Sequence, residues 1–562
     1  MRFCSLFTFI SLALTAAAEQ PKSDRVPCDS ASRIEVTVSR IDAGEAERSL
    51  GCAVARCEIH NGSDRDGTWK LALTLGDASK THESRDIPVA AGASVILDLP
   101  VNNNIDGSNL AWSLRGPGIS SGGQQGNLYS GSSRYGFVYG SSSVISVLAS
   151  GDTSISFRSK KSLTSASSSS SSSNDVCLEL EPRSWPSDWR ALCGFRKAVL
   201  TSSEWLSLPS DRQQALRDWV FAGGHLGFLP PHDPKIQQEF TPGSGRGLGR
   251  ISFLAAGSLP DDAPSPQADR VNEFITNTLT KQQNILAVPA ASLFFPCLIL
   301  TLFAIAVGPL NLLVWAKDGR RHLLFITTPV ISLIASVLLG LYILLMDGVG
   351  GSGRSSAIAY LDSQQQRMLV RQVNTSVTGL MPSRSGTMPS SSLFKQVSDT
   401  SGRGDFSLEF HSDGQQVFGD HLRSRSRQSQ SLTRLSSSRA SLDLLADGSY
   451  RNSLPVAIKG GLVYHKGALM SCAPSLPGSK LDLHPIDKEE AENLMESGLG
   501  MNEVGKQAMP PIPGSNGIPL PASEGGFALI CDNGELAPQV FTQIKWKTAP
   551  MLLIGEAQEV RQ

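Results

Sequence analysis

Two uncharged apolar runs, set close together, restrict what this chain can fold into. No charged residue lies between Lys281 and Lys317, and Val288 to Ala316 is long enough to cross a bilayer. A second uncharged run, Leu323 to Met346, follows the connector Lys317-Asp318-Gly319-Arg320-Arg321-His322. A hydrocarbon core about 30 Å thick needs ~20 apolar residues in a helix, and two such runs in succession are rare in soluble cores. The pattern predicts a two-helix membrane hairpin, with transmembrane helices at 288–316 and 323–346 and a connector at 317–322. Lys317, Arg320 and Arg321 assign that connector to the cytoplasm by the positive-inside bias.

The N-terminus leads to the same topology by another rule. Arg2 supplies a positive start, Phe3 to Leu14 an apolar run, and Thr15-Ala16-Ala17-Ala18 the small residues of a cleavage site. Residues 1–18 therefore read as a signal peptide cleaved after Ala18. The alternative, an uncleaved helix, is too short to span ~30 Å. The expected localisation is a bacterial inner (cytoplasmic) membrane, with the lipid bilayer as partner and both large parts extracytoplasmic. Inside the hairpin, Pro309 and Pro329 each remove a backbone donor and free a carbonyl one turn earlier. Asn311 and the Thr327-Thr328-Pro329 step lie at similar depth, so the Asn311 amide is expected to reach a freed carbonyl or a threonine hydroxyl across the pair. Neither span carries the Asp, Glu, Lys, Arg or His that an ion path would use.

Outside the membrane, residues 30–120 alternate as half-buried strands do, in Ile34-Glu35-Val36-Thr37-Val38 and Trp69 to Leu75. Turn signals at Asn61-Gly62-Ser63, Asp66-Gly67 and Ala91-Gly92-Ala93 separate the strands. The spacing predicts a β-sandwich of the immunoglobulin-like kind, similar to the adhesion-type sandwiches that precede bacterial membrane anchors. Residues 130–280 alternate strand and helix, with a serine-rich insertion at 162–174 that has no side chains for a core. Phe195 to Leu200 is a strand candidate, Gln213 to Val220 a helix, Ala222-Gly223-Gly224 its stop and His225 to Leu229 the next strand. That is a βαβ unit of a parallel sheet. After the hairpin, 347–400 reads as a flexible Ser/Gly-rich segment and 401–556 as a C-terminal β-rich domain.

The stretches Trp185-Pro186-Ser187-Asp188-Trp189-Arg190, Ala198-Val199-Leu200 and Leu216-Arg217-Asp218-Trp219-Val220-Phe221-Ala222-Gly223-Gly224-His225-Leu226 resemble the class I glutamine amidotransferase-like domains of bacterial membrane proteins. Gly308-Pro309-Leu310-Asn311 and Thr328-Pro329 are similar to the membrane hairpin that follows such domains. The resemblance implies a flavodoxin-like fold. It also implies, by analogy, partners such as MoxR-type ATPases and von Willebrand factor A-domain proteins. The active members place their nucleophile in a G-x-C-x-G elbow after a strand. Here Ala191-Leu192-Cys193-Gly194-Phe195 lacks the first glycine and precedes a strand, so no catalytic residue is assigned.

The remaining chemistry is sparse. The nine cysteines include no CxxC pair, which disfavours a zinc knuckle or a thioredoxin-type site. In an oxidising compartment Cys177 and Cys193 are either a disulfide or two structural thiols. Cys472 and Cys531 are a second candidate pair. The histidines show neither HExxH nor an i, i+4 pair, so no metal and no cofactor are expected. Lys+Arg 50 against Asp+Glu 51 leave a net charge of -1, and no nucleic-acid partner is expected. The glycine cluster Gly243 to Arg250 is followed by a strand where a phosphate site would have a helix. His232-Asp233, after the strand ending at Leu229, is the polar pair best placed to touch a ligand. The sequence thus points to an envelope protein that binds or assembles with a protein or glycan, with an amidase- or hydrolase-like enzyme as the alternative.

Overall fold

The computed structural model describes residues 22–26, 28, 33–41, 52–75, 81–102, 109–119, 123–129, 146–149, 176–195, 197–240, 247–255, 294–315, 324–347, 350–379, 385–397, 406–410, 414–419, 422, 427–499, 520–521, 523–532, 536–537 and 539–559. The signal peptide, the serine-rich insertion and the connector at 317–322 lie outside the described residues. The chain divides into two units, residues 1–69 with 88–265 and residues 70–87 with 266–562. It is mixed α/β with more strand than helix, distributed over several sheets.

The N-terminal strands are β1 (Lys22–Val26), β2 (Ile34–Ile41), β3 (Cys52–Asn61), β4 (Gly67–Leu75), β5 (Thr81–Val89), β6 (Ser94–Asn102), β7 (Asn109–Arg115) and β8 (Gln124–Tyr129). In the first unit β1-β2-β3-β6 form an antiparallel sheet, and β7 and β8 pair as a hairpin. Period-two alternation brings Val36 opposite Ile59 and Val38 opposite Cys57, all four buried. Arg56 and Asp98, opposite each other on β3 and β6, form a two-pronged ion pair at 2.7 and 3.0 Å, each side chain 6% exposed. Trp69 is fully buried, its indole N–H donating to the Pro117 carbonyl at 3.2 Å. Gly116 lies so close to that ring that a Cβ would stand 2.3 Å from it.

The same unit holds β9 (Ser146–Ala149), β10 (Val176–Glu179), α1 (Trp189–Leu192), β11 (Lys197–Thr201), α2 (Ser202–Ser207), α3 (Ser210–Ala222), β12 (His225–Leu229), α4 (Pro234–Glu239) and β13 (Arg250–Phe253). The five strands are parallel in the order β10-β9-β11-β12-β13, the winding of a doubly wound sheet with its reversal between β9 and β11. β11 and β12 are almost wholly buried, as strands covered on both faces are. α3 ends because Gly223 takes φ 127°, and Gly224 passes under Trp219, where a Cβ would meet the indole at 2.2 Å.

The membrane-type segment follows. It comprises α5 (Phe294–Ile305), a π-helical continuation over Ala306–Trp315, and α6 (Leu324–Asp347). Here the two-helix expectation needs correction: among the described residues one helix is long and apolar enough to cross a bilayer, at Phe325–Tyr342 with a mean hydropathy of 2.0. The first run is α-helical for 12 residues and then changes register around Pro309. Pro309 offers no N–H and its ring excludes the carbonyl four residues back, so the ladder widens instead of continuing. Pro329 sits near the start of α6 and leaves it α-helical. The two segments run antiparallel, with Phe295 against Tyr342 at 5.8 Å and Asn311 against Thr327 and Thr328.

In the second unit the segment 347–400, read from its composition as a flexible linker, is largely strand. β14 (Gly351–Asp362), β15 (Arg367–Thr378), β16 (Gly386–Met388) and β17 (Ser392–Val397) precede β18 (Phe406–Phe410), β19 (Gln415–Gly419), β20 (Arg427–Ser437), β21 (Leu442–Leu444) and β22 (Tyr450–Asn452). β23 (Ile458–His465), β24 (Ala468–Cys472), β25 (Leu483–Pro485), α7 (Lys488–Gly498), β26 (Gly526–Cys531), β27 (Ile544–Thr548), β28 (Met551–Glu556) and β29 (Gln558–Glu559) complete it. A ten-stranded sheet runs β17-β20-β15-β14-β28-β26-β23-β24-β25, with β27 also on β14. β14 and β15 lie in its interior, so the C-terminal domain begins near residue 351 rather than 401. Separately, β5 pairs in parallel with β18, which continues to β19 and β16. The core of the second unit gathers Leu361, Val370, Leu442, Tyr450, Phe527, Leu529 and Leu553.

Candidate functional site

In sheets of this winding, ligands bind outside the carboxyl ends of the strands, beside the point where strand order reverses. β11 and β12 each deliver a short polar sequence to that edge. β11 ends on Thr201 and turns directly into α2 through a capping box. The Thr201 hydroxyl accepts the Glu204 N–H at 3.2 Å, and the Glu204 carboxylate accepts the Thr201 N–H at 2.7 Å. Ser202, buried behind it, accepts the Asp233 N–H at 3.1 Å. That bond ties the exit of β11 to the exit of β12.

β12 leaves the sheet through Pro230-Pro231, joined by a cis peptide, and delivers His232 and Asp233. The Asp233 carboxylate caps α4, accepting the Lys235 N–H at 2.7 Å. His232 places Nε2 at 3.1 Å from the Leu254 carbonyl beyond β13, and its ring stands edge-on to Phe253 at 5.3 Å. A carbonyl only accepts, so Nε2 is the donor in this contact. Nδ1 is buried and has no hydrogen-bond partner among the described residues. Beneath the edge Trp205, Phe228 and Phe240 form an aromatic layer with centroids 5.4 to 5.7 Å apart. Of these residues the sequence singled out His232 and Asp233. Ser202 escaped it, although Thr-x-x-Glu straight after an apolar strand marks a helix start at that place.

Cys193 and His225 belong to the opposite edge. Cys193 ends α1, four residues before β11 begins, and its buried thiol lies 3.4 Å from the Trp189 carbonyl. His225 opens β12, with Nε2 2.9 Å from the Ser252 hydroxyl. Neither is at the edge that carries Ser202 and His232. The Cys193 thiol is buried, and the side chain of Cys177 lies outside the described residues.

Cys472 and Cys531 are both free and buried, which corrects the expected pairing. They lie on β24 and β26 with β23 between them. Two strand spacings amount to ~9.6 Å, beyond the ~7 Å across which Cα atoms can be bridged. Burial pushes both thiols up to about 12, and for Cys531 the neighbouring Cys472 adds to it. Among the described residues no group of three or more His, Cys, Asp or Glu is placed to hold a metal ion.

In the membrane-type segment the Asn311 amide donates to the Thr328 hydroxyl at 3.1 Å and accepts from the Thr327 hydroxyl at 2.8 Å. Asn311 is fully buried, while Leu313 and Phe325 are 73% and 84% exposed. The partners are threonine hydroxyls, not the carbonyls that Pro309 and Pro329 free.

No family model matches the chain, and no curated protein matches it. Among solved structures, Bacteroides uniformis beta-glucuronidase 2, covalently bound to cyclophellitol-6-carboxylate aziridine, is similar over 40% of this chain at 7% identity and a TM-score of 0.15. The alignment covers 34% of that enzyme's chain, so this chain spans about a third of its length. A likeness at that level bears on neither fold nor activity.

Proposed function

We propose that this chain is a membrane-anchored cell-envelope protein that engages another envelope protein or a glycan and does no chemistry on it. The observation that carries the reading is how the polar side chains at the carboxyl edge are engaged. Thr201 and Glu204 cap α2, Ser202 holds the Asp233 amide, and Asp233 caps α4. These bonds stiffen a surface instead of aiming a nucleophile at a base. The anchor is supported by inverted polarity: α6 turns Phe325, Ile326 and Leu333 outward while Asn311 is enclosed. Apolar side chains facing out and polar ones facing in suit hydrocarbon as solvent. In this reading α6 is the segment that anchors the chain in the bilayer. The amidotransferase-like resemblance of residues 185–226 then marks a flavodoxin-like binding domain, with MoxR and von Willebrand factor A-type systems as partners by analogy.

The test is crosslinking in intact cells, then capture of the solubilised protein and identification of what accompanies it. A stoichiometric envelope partner, or a glycan retained by the external part, supports the reading. Turnover of an amide or ester by the purified protein sinks it. One observation favours that second, hydrolytic reading: Ser202 is hydrogen-bonded to the residue after His232, and the His232 Nδ1 has no hydrogen-bond partner among the described residues. In that case S202A and H232A would each abolish the turnover.

A further inference from the structure

Where α6 ends, the ten-stranded sheet of the second unit begins. The apolar stretch of α6 closes at Tyr342 and the helix runs on to Asp347, five further residues or about 7.5 Å. That is the depth of one headgroup layer, since a bilayer with ~30 Å of hydrocarbon is about 40–45 Å thick overall. The ladder of β14 and β15 already includes Gly350, whose carbonyl accepts the Gly379 N–H at 2.8 Å. From Asp347 to Gly350 the extended chain covers at most ~11 Å. With α6 in the bilayer, this end of the sheet stands at the lipid surface.

β27 lies parallel to β14 at that end, with Ser352 beside Lys545, Gly353 beside Trp546 and Arg354 beside Lys547. Successive residues of a strand point to opposite faces. The Trp546 ring packs on Gly353, where a Cβ would stand 2.5 Å from it, so those two share one face. Ser352, Arg354, Lys545 and Lys547 therefore share the other. Ser352 and both lysines are exposed, and Arg354 is half-buried. Three cations thus occupy two adjacent strands, separated by one strand spacing of ~4.8 Å and one row of ~6.7 Å. Arg354 and Lys547 stand side by side, and like charges so placed repel. On this face of β14, β27 and β28 the carboxylates lie at the far end. There Asp362 stands beside Glu556, ~27 Å along the strand from Arg354.

We propose that Arg354, Lys545 and Lys547 form a docking strip for anionic phospholipid headgroups of the bilayer that α6 crosses. Position carries the assignment. The strip starts two residues beyond Gly350, and a Debye length at physiological salt is about 8 Å, so its first row feels a charged lipid surface. An acidic protein would meet the same charges, but lipid is present wherever α6 is inserted, and the chain link holds the strip beside it at high effective concentration. Each Lys or Arg next to an anionic surface strengthens attachment roughly fivefold. Headgroup phosphates between Arg354 and Lys547 also relieve their repulsion, and they give the sheet a second attachment besides α6. The proposal rests on α6 as the membrane anchor and adds a lipid class to it.

The experiment is hydrogen exchange of the full-length protein in two kinds of nanodisc, phosphatidylcholine alone and phosphatidylcholine with an equal part of phosphatidylglycerol. Amides of 351–355 and 544–548 are expected to exchange about tenfold more slowly in the anionic discs. Salt near 1 M, where the Debye length is about 3 Å, should erase the difference. R354Q/K545Q/K547Q is expected to exchange alike in both discs. K545Q/K547Q, which changes exposed side chains alone, should lose most of the effect and covers the case in which the triple variant misfolds. Equal exchange of the wild type in both discs overturns the proposal and leaves the anchor standing, since the chain has entered the bilayer. An undiminished lipid effect in either variant overturns it too, as does equal protection by inorganic phosphate added to the neutral discs. A chain that enters neither disc overturns the anchor, and this proposal with it.

Discussion

Replacing Asn311 by leucine tests whether the polar clamp in the membrane-type segment holds its two halves together. The amide makes two hydrogen bonds to α6, one donated to Thr328 and one accepted from Thr327. Interhelical hydrogen bonds inside bilayers average about 0.6 kcal/mol each, because the separated helices find other partners for the same groups. Leucine keeps the branched shape of asparagine and is somewhat larger, so no cavity is opened. The expected loss is therefore about 1.2 kcal/mol, or roughly sevenfold in the equilibrium between associated and separated segments. The assay is unfolding of the bicelle-reconstituted protein against increasing mole fraction of SDS, read by energy transfer between labels at 298 and 341. T327V alone should cost about half as much, and N311L with T327V should cost no more than N311L. If the two substitutions are additive, with coupling below ~0.3 kcal/mol, the clamp carries no energy and the reasoning fails. N311D should cost more than N311L, since a carboxylate at that depth has no cation to meet it.

Asp98→Asn leaves the Arg56 guanidinium buried with half its partner, and should destabilise the first unit by about 3–5 kcal/mol, read as lost hydrogen-exchange protection in β3. The pair R56M/D98L should recover most of that loss; equal damage from single and double variants would refute the ion-pair account. Cys57, Cys472 and Cys531 are pushed up to about 12 by burial, from an ordinary 9.0. A raised thiol pKa gives stability that is complete below pH 9 and fades as pH climbs toward 12. Each thiol should therefore cost about 1.4 kcal/mol per pH unit in that window, and serine at each position should flatten the profile. Glu204→Ala removes one arm of the capping box and should cost about 1 kcal/mol, seen as faster exchange in α2 with β12 unaffected.

What the sequence could and could not show follows from where the deciding force lies. The βαβ unit was legible because its signals are local. An apolar strand, a helix start and the Gly223-Gly224 stop act through φ, ψ and burial within a few residues, and β12 spans His225–Leu229, directly after that stop. β14 and β15 were not legible. Gly351 to Ser356 and Asn374 to Thr378 read as polar linker, and only ladder partners on neighbouring strands make them interior. The same non-local pairing separates Cys472 from Cys531, since a list of cysteines does not show that β23 runs between them. Pro309 and Pro329 make the point within one motif. Each removes one donor, yet one lies deep in its helix and changes the ladder, while the other lies near a helix start and leaves it unchanged. The candidate edge divides the same way. His232 and Asp233 follow directly from the end of a strand, whereas Ser202 became relevant only when β11 and β12 were seen side by side, with its hydroxyl joining their exits. Local chemistry can be read along the chain, but a site assembled from two strands depends on their register, and that is where Ser202 was hidden.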